Sequence, residues 1–459
     1  MPANRPAPHS AVHTVSPQVV ITPLKPALIA GLAHTLPVLV RVQAPDADPS
    51  VTQIRRPYHL SLVIDRSGSM SGQPLAEALR CARYIVDRLV PTDVASLVVF
   101  DHRVSVLAPA HLVGDRRTLH HQLAGVQCGG NTDLHGGWAA GADSLAAGAR
   151  AAAIARTILL SDGNANSGEI TEPRLIADRC ATAAAHGVST STYGLGHDFN
   201  EELMVAMARA GGGNHYYGET AADLFEPFAE EFDLISNLYA RQVRLSLAPC
   251  PGVGMTVAND YPVEARAGVP VISLPDVPWG AEAWVLVELS IPAGFTPAPG
   301  MPLLQAGVTG VTLDQAPIAF PEAALKLGAV SPDMWEALTA DPLVRARHAE
   351  VGASRLLEQA RAAAGVGDWD RVKAVIDEAS RRFGDQPWVQ QVLASLDEIA
   401  QQRNQASFSK ESLYSALKMR SRVAAKDEQR HGALPESAVP RFLRREGKQG
   451  KKGAPPGSQ

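Results

Sequence analysis

Apolar positions follow different periods in different parts of the chain, and the changes between them divide it. Residues 36–42 alternate apolar with polar in the manner of a half-buried strand, and a shorter apolar run covers 27–29. From Tyr58 the texture becomes an alternation of strands and helices. Residues 59–64, 94–100, 154–160 and 188–193 read as strands, with 103–107 as a hairpin partner and 215–217 as a short edge strand. Residues 73–89, 116–124, 134–149, 172–186, 200–210 and 222–238 carry helical spacing. Strands alternating with helices predict an α/β fold: a doubly wound, mostly parallel sheet covered on both faces.

After Tyr239 the helical signal stops. Residues 241–247 and 283–291 alternate again, with Pro and Gly dense between them, which predicts an antiparallel β region reaching to about 318. Neither this piece nor the early strands is large enough for a sandwich alone. The expectation is one β-sandwich interrupted by the α/β domain, with both linkers leaving from neighbouring ends. From 341 to 403 the pattern is helical: Val344, Val351, Leu356 and Leu357, then Val372, Val375, Ile376, Ala379 and Phe383. A break at 365–368 makes an αα-hairpin, and Pro387 with Trp388 opens a third helix, packed in a small bundle or against the sandwich. The expected organisation is a flexible N-terminus over 1–21, N-terminal sandwich strands over 22–56, the α/β domain over 57–238, the rest of the sandwich over 239–320, a helical segment over 321–431, and a disordered basic tail over 432–459.

Composition narrows the functional classes. The chain has 459 residues, 46% hydrophobic and 19% charged, and 42 Lys plus Arg against 47 Asp plus Glu give a net charge of −5. This is a globular composition without the basic excess of a nucleic-acid binder, so no nucleic-acid partner is expected. No run reaches 18 uncharged apolar residues, because the Ala-rich stretch 139–160 is cut by Asp143, Arg150 and Arg156. Residues 1–21 lack the apolar core of a secretory signal, so a cytoplasmic location is expected, and the Ala and Arg richness suggests a GC-rich bacterial genome. The four cysteines show no Cys-x-x-Cys spacing and are expected to be buried free thiols.

The chemistry lies in three loops. The strand 59–64 runs into Asp65, Arg66, Ser67, Gly68, Ser69 and Met70, and then a helix. Asp, Ser and Ser at alternating positions in a tight loop turn three oxygens towards one point, which suits a hard cation such as Mg2+ or Mn2+. Gly129-Gly130-Asn131-Thr132-Asp133-Leu134 precedes a helix, and Ser161-Asp162-Gly163 follows a strand. A sheet of this type brings both to the same edge. The ordered set Asp-x-Ser-x-Ser, Gly-Gly-x-Thr-x-Leu and Ser-Asp-Gly resembles a von Willebrand factor type A (VWA) domain with a metal-ion-dependent adhesion site.

That resemblance implies a Rossmann-like VWA fold and five metal-site residues. Ser67 and Ser69 would give hydroxyl oxygens to the ion, Asp65 and Asp162 would bind it directly or through water, and Thr132 would join on ligand engagement. It further implies Mg2+ or Mn2+ as the ion, a protein partner that presents Asp or Glu to the metal, and no catalysis. An accessory role beside a MoxR- or chelatase-type AAA+ ATPase is the alternative, and a metal-dependent hydrolase is a further one that no catalytic motif supports. Asp133 is expected to cap the following helix. His102, His111, His120 and His121 have no metal-ligand spacing.

Overall fold

The computed structural model describes residues 16–46, 56–146, 154–195, 200–218, 220–266, 268–298, 300–420 and 423–426. The tail expected over 432–459 and residues 1–15 lie outside them. Six strands form one sheet in the spatial order Val104–Leu112, Val94–Phe100, Tyr58–Asp65, Ile154–Ser161, Val188–Leu195, Gly212–Gly218. Every neighbouring pair is parallel except the first, where the hairpin partner runs antiparallel. Alternation along the Tyr58–Asp65 strand explains its central place. Leu60, Leu62 and Ile64 enter the core beneath helices Gln73–Arg88 and Ala221–Ser236, while Val63 enters the core on the opposite face with Trp138, Leu203 and Met204. A strand covered on both faces is largely apolar on both; the exception here is Ser61, buried on the Val63 face, where its hydroxyl accepts the Ser96 hydroxyl at 2.8 Å.

Helix Leu134–Ala146 lies unusually close to this sheet. A Cβ on Gly137 would stand 2.3 Å from the Phe100 ring, and one on Gly141 2.3 Å from the Val63 side chain. The absence of side chains at these two positions permits the contact.

Strands His34–Gln43 and Ala281–Ile291 pair antiparallel, from His34 opposite Ile291 to Gln43 opposite Glu282. Gln18–Pro23 borders the first strand, and Gly254–Val257 and Val423–Ala425 border different halves of the second. A second antiparallel sheet runs Val263–Arg266, Val269–Ser273, Leu238–Pro249, Leu304–Val311, Ala323–Leu325. Val38, Val40, Val285 and Val287 of one sheet share a core with Val243, Leu245, Leu247 and Val308 of the other. Strands from either side of the parallel sheet thus make one sandwich, with the α/β domain inserted into it. The insertion's ends are adjacent: the Tyr58 hydroxyl donates to the Phe232 carbonyl at 3.2 Å, and the two rings lie 5.6 Å apart. One expectation needs correction. The stretch taken as flexible over 1–21 contains the start of a strand, because Gln18 pairs with Gln43 and Val19 is buried.

Helices Pro342–Gly365, Trp369–Phe383 and Pro387–Gln401 follow the expected spacing, and Asp368 caps the second by accepting the Arg371 N–H at 3.0 Å. Val344 and Val351 of the first pack on Leu39, Trp284 and Leu286, the outer face of the sandwich. A fourth helix, Gln405–Arg420, falls within the helical segment expected over 321–431, although its spacing does not mark it as a separate element. Phe408 and Met419 close the bundle core. Towards the α/β domain, Tyr217 donates to Glu411, and Lys418 reaches Glu230 at 3.3 Å.

Candidate metal centre

The Tyr58–Asp65 strand is followed in sequence by a neighbour on one side and later by Ile154–Ser161 on the other. The order of the chain reverses between these two strands, and ligands of open α/β sheets bind at the carboxyl ends beside such a reversal. Asp65 ends one strand and Asp162 directly follows the other.

Asp65 is wholly buried. One carboxylate oxygen accepts the Ser67 backbone N–H at 2.8 Å, and the other accepts the Ser161 hydroxyl at 2.6 Å. The chain then turns through the short 3-10 segment Gly68–Met70, pinned by the buried Met70 side chain. Ser67 is buried and Ser69 exposed, with their hydroxyl oxygens 3.1 Å apart.

The second loop is stitched to the first by two backbone bonds, Gly68 N–H to the Gly130 carbonyl and Gly129 N–H to the Arg66 carbonyl, each 2.7 Å. Gly129 must be glycine, since a Cβ there would stand 1.7 Å from the Asp101 carboxylate. Thr132, also buried, is tied to the third loop: its N–H donates to the Asn166 side-chain oxygen at 2.8 Å, and its carbonyl accepts the Asn166 and Ser167 N–H groups. Asp162 is buried and accepts the Asn164 N–H at 3.1 Å. All five residues singled out in the sequence therefore lie on three loops joined by hydrogen bonds at one edge of the sheet. Asp133 is a helix cap, accepting the Gly136 N–H at 2.9 Å.

Burial, assisted by the negative charge of Asp162, pushes the Asp65 pKa up to about 6 against the hydrogen bonds from Ser161 and Ser67. Among the described residues no cationic side chain pairs with either of these neighbouring carboxylates, and a dication would supply the compensating charge. The remaining donors are hydroxyl oxygens, which suit Mg2+ or Mn2+ over softer metals. The residues present fit such an ion. Three of the five oxygen donors are hydroxyls, and among the described residues no group of three or more His, Cys, Asp and Glu is gathered.

Ser161 belongs to the motif read in the sequence, but its supporting role, and the residues Asn166 and Asp101, emerge only from the structure. Ser161 and Asn166 orient Asp65 and Thr132, and Asp101 accepts the Asp133 N–H on its carbonyl at 2.8 Å. Ser161 was detectable as the residue before Asp162, but Asp101 carried no signal. A second correction concerns the cysteines: Cys81, Cys180 and Cys250 are buried, whereas Cys128 is exposed, on the loop before Gly129 where no core lies beneath it.

A doubly wound sheet with oxygen-bearing loops at its switch point defines a class of α/β binding domains. The particular family follows from comparison: residues 59–230 match the model of the von Willebrand factor type A domain, and this part of the chain is a VWA domain. In solved structures the chain is similar to a von Willebrand factor type A protein from Catenulispora acidiphila, with a TM-score of 0.64 at 14% identity over 84% of this chain and 91% of that one. It is likewise similar to the ArnB paralog VWA2 from Sulfolobus acidocaldarius, with a TM-score of 0.57 at 20% identity over 88% and 98%. These likenesses extend the shared fold beyond the VWA domain to the sandwich and bundle.

In sequence, the chain is 25% identical over 249 residues to an uncharacterized protein of Synechocystis sp., covering 51% of this chain and 57% of that one. It is 27% identical over 165 residues to human inter-alpha-trypsin inhibitor heavy chain H4, covering 34% and 18%. The match thus spans less than two thirds of either relative. Among the described residues no helix is long and apolar enough to cross a membrane.

Proposed function

We propose that this chain binds a protein partner through a divalent metal ion held by Asp65, Ser67, Ser69, Thr132 and Asp162, the partner contributing an Asp or Glu carboxylate. The observation that carries this reading is the joining of three oxygen-bearing loops around the buried Asp65 and Asp162. When bound, Mg2+ or Mn2+ would offer an exchangeable position to an outside carboxylate. The chain's own residues do the rest. Ser161 and the Ser67 N–H hold the Asp65 carboxylate in one orientation, and Asn166 fixes the loop that carries Thr132. This is a binding role, in keeping with VWA domains as interaction modules.

Titration of the full chain with Mn2+, followed by loss of the free-ion electron paramagnetic resonance signal, tests the metal half. Saturable binding that Ser67→Ala weakens at least tenfold, with an unchanged circular dichroism spectrum, is the expected result. Binding unaffected by Ser67→Ala and Asp162→Ala would reject the site.

A further inference from the structure

The residue between the first two site oxygens is Arg66, and its side chain does not join the oxygen cluster. It lines a cleft of about 350 Å³ whose walls are Val99, Leu107, His121, Gln122 and Val126. Arg66 is rooted in the site itself: its N–H donates to the Phe100 carbonyl at 2.8 Å and its carbonyl accepts the Gly129 N–H. The guanidinium is only partly satisfied. Its Nη2 lies 3.2 Å from the Asp101 carboxylate, and its Nε is buried without a hydrogen-bond partner. A guanidinium carries five donors in a fork that matches a carboxylate.

The charge around the cleft points the same way. Arg103, Arg116, Arg117, His102 and His121 lie on the flanking segments, against Asp101 and Asp115. Asp101 is occupied by Arg66 and the Arg103 N–H, and Asp115 by Arg117. Among the residues that line the cleft itself, Arg66 and His121 are basic and none is a carboxylate.

From this arrangement, and resting on the metal-dependent reading above, we infer that the partner segment is doubly acidic: one carboxylate goes to the ion and a second, a few residues away, enters the cleft and meets Arg66. The apolar walls at Val99, Leu107 and Val126 take the methylene stem of that second side chain, which favours Glu over Asp there. Recognition then depends on the spacing of two acids, so a single acidic residue is not sufficient for a tight complex.

The test uses the full chain and immobilised Gly/Ser peptides that carry either one Asp, or that Asp followed by Glu at spacings of one to four residues, in Mg2+ or in EDTA. The expected result is that one spacing binds about tenfold more tightly than the single acid, the worth of one charge-assisted contact. Arg66→Gln removes this advantage, and Arg66→Lys restores part of it. Ala124→Glu, which places an opposing charge at an exposed position on the rim, removes it too without altering the metal loop. Equal Mg2+-dependent binding of single- and double-acid peptides, or no binding of either, overturns the inference. Double-acid binding that persists in EDTA and is lost in Arg66→Gln overturns the metal half and the two-point arrangement with it.

Discussion

Asp65, a ligand in the proposed metal site, is a residue whose burial works against the fold when no ion is bound. Its carboxylate sits in the sheet core beside Asp162, and its two hydrogen bonds do not offset burial. Removing the charge should therefore have opposite effects with and without metal. In EDTA, Asp65→Asn is expected to melt at or above the wild-type temperature. In millimolar Mg2+ the wild type should gain several degrees by mass action and the variant nothing; equal shifts in both would place the ion elsewhere. Gly137 makes the complementary point about space. A methyl group there meets the Phe100 ring and must push helix Leu134–Ala146 off the sheet. Gly137→Ala should cost about 1–3 kcal/mol in urea denaturation, and because Thr132 leads into that helix, Mn2+ affinity should fall in parallel.

At the scale of elements, the Ala221–Ser236 helix is tied to the sheet by a buried polar cluster. Glu231 receives Arg156 from the Ile154–Ser161 strand, the Ser191 hydroxyl at 2.6 Å and the Asn214 amide at 2.7 Å. Burial alone would raise the Glu231 pKa, but the Arg156 charge and these donors outweigh it and hold it below the ordinary value of 4.5. A carboxylate depressed in the folded state stabilises fully above its unfolded value and loses that contribution as pH falls through the folded one. Stability should therefore fall with acidification below about pH 4.5, and Glu231→Gln should flatten that limb. At neutral pH the same variant removes the short partner of the buried Arg156 guanidinium, leaving Asp276 at 3.9 Å, and should cost about 3 kcal/mol, read from the chemical-denaturation midpoint.

The reason one helix was legible and another was not is also found at this scale. Trp369–Phe383 buries a single face, Val372, Val375, Ile376, Ala379 and Phe383, so its spacing is plain in the sequence. Gln405–Arg420 buries Phe408, Lys410, Glu411, Ser412, Tyr414, Ser415, Ala416, Met419 and Arg420, touching the bundle on one side and the α/β domain on the other. Its buried residues are largely polar and run around the whole helix, which leaves no apolar stripe to read. What makes the helix recognisable is its neighbours: Tyr217 for Glu411, Glu201 for Ser409, Ser354 for Arg420.

For the whole molecule, the sandwich core draws its residues from segments on both sides of the VWA domain and, among the described residues, none from within it. A chain in which residues 57–237 are replaced by a short Gly/Ser linker should therefore still unfold in a cooperative thermal transition with β-type circular dichroism, because the His34–Gln43 and Ala281–Ile291 pairing is intact. A featureless spectrum would show that the inserted domain is needed to bring the two halves together. The domains meet through charged and polar junctions: Arg361 with Glu201 and Glu202, Arg156 with Asp276, and Arg241 donating to the Gly187 carbonyl. By itself, the sequence determined the parallel sheet and the covering helices, and it carries the three loop motifs on which the proposed site rests. Each of these is written locally, as a period of burial or as a short motif between a strand and a helix. Only the tertiary structure decided the pairing of residues more than two hundred positions apart, the fourth helix of the bundle and the Arg66 cleft beside the oxygens. Those depend on which surfaces meet, and meeting surfaces leave no local period in the chain.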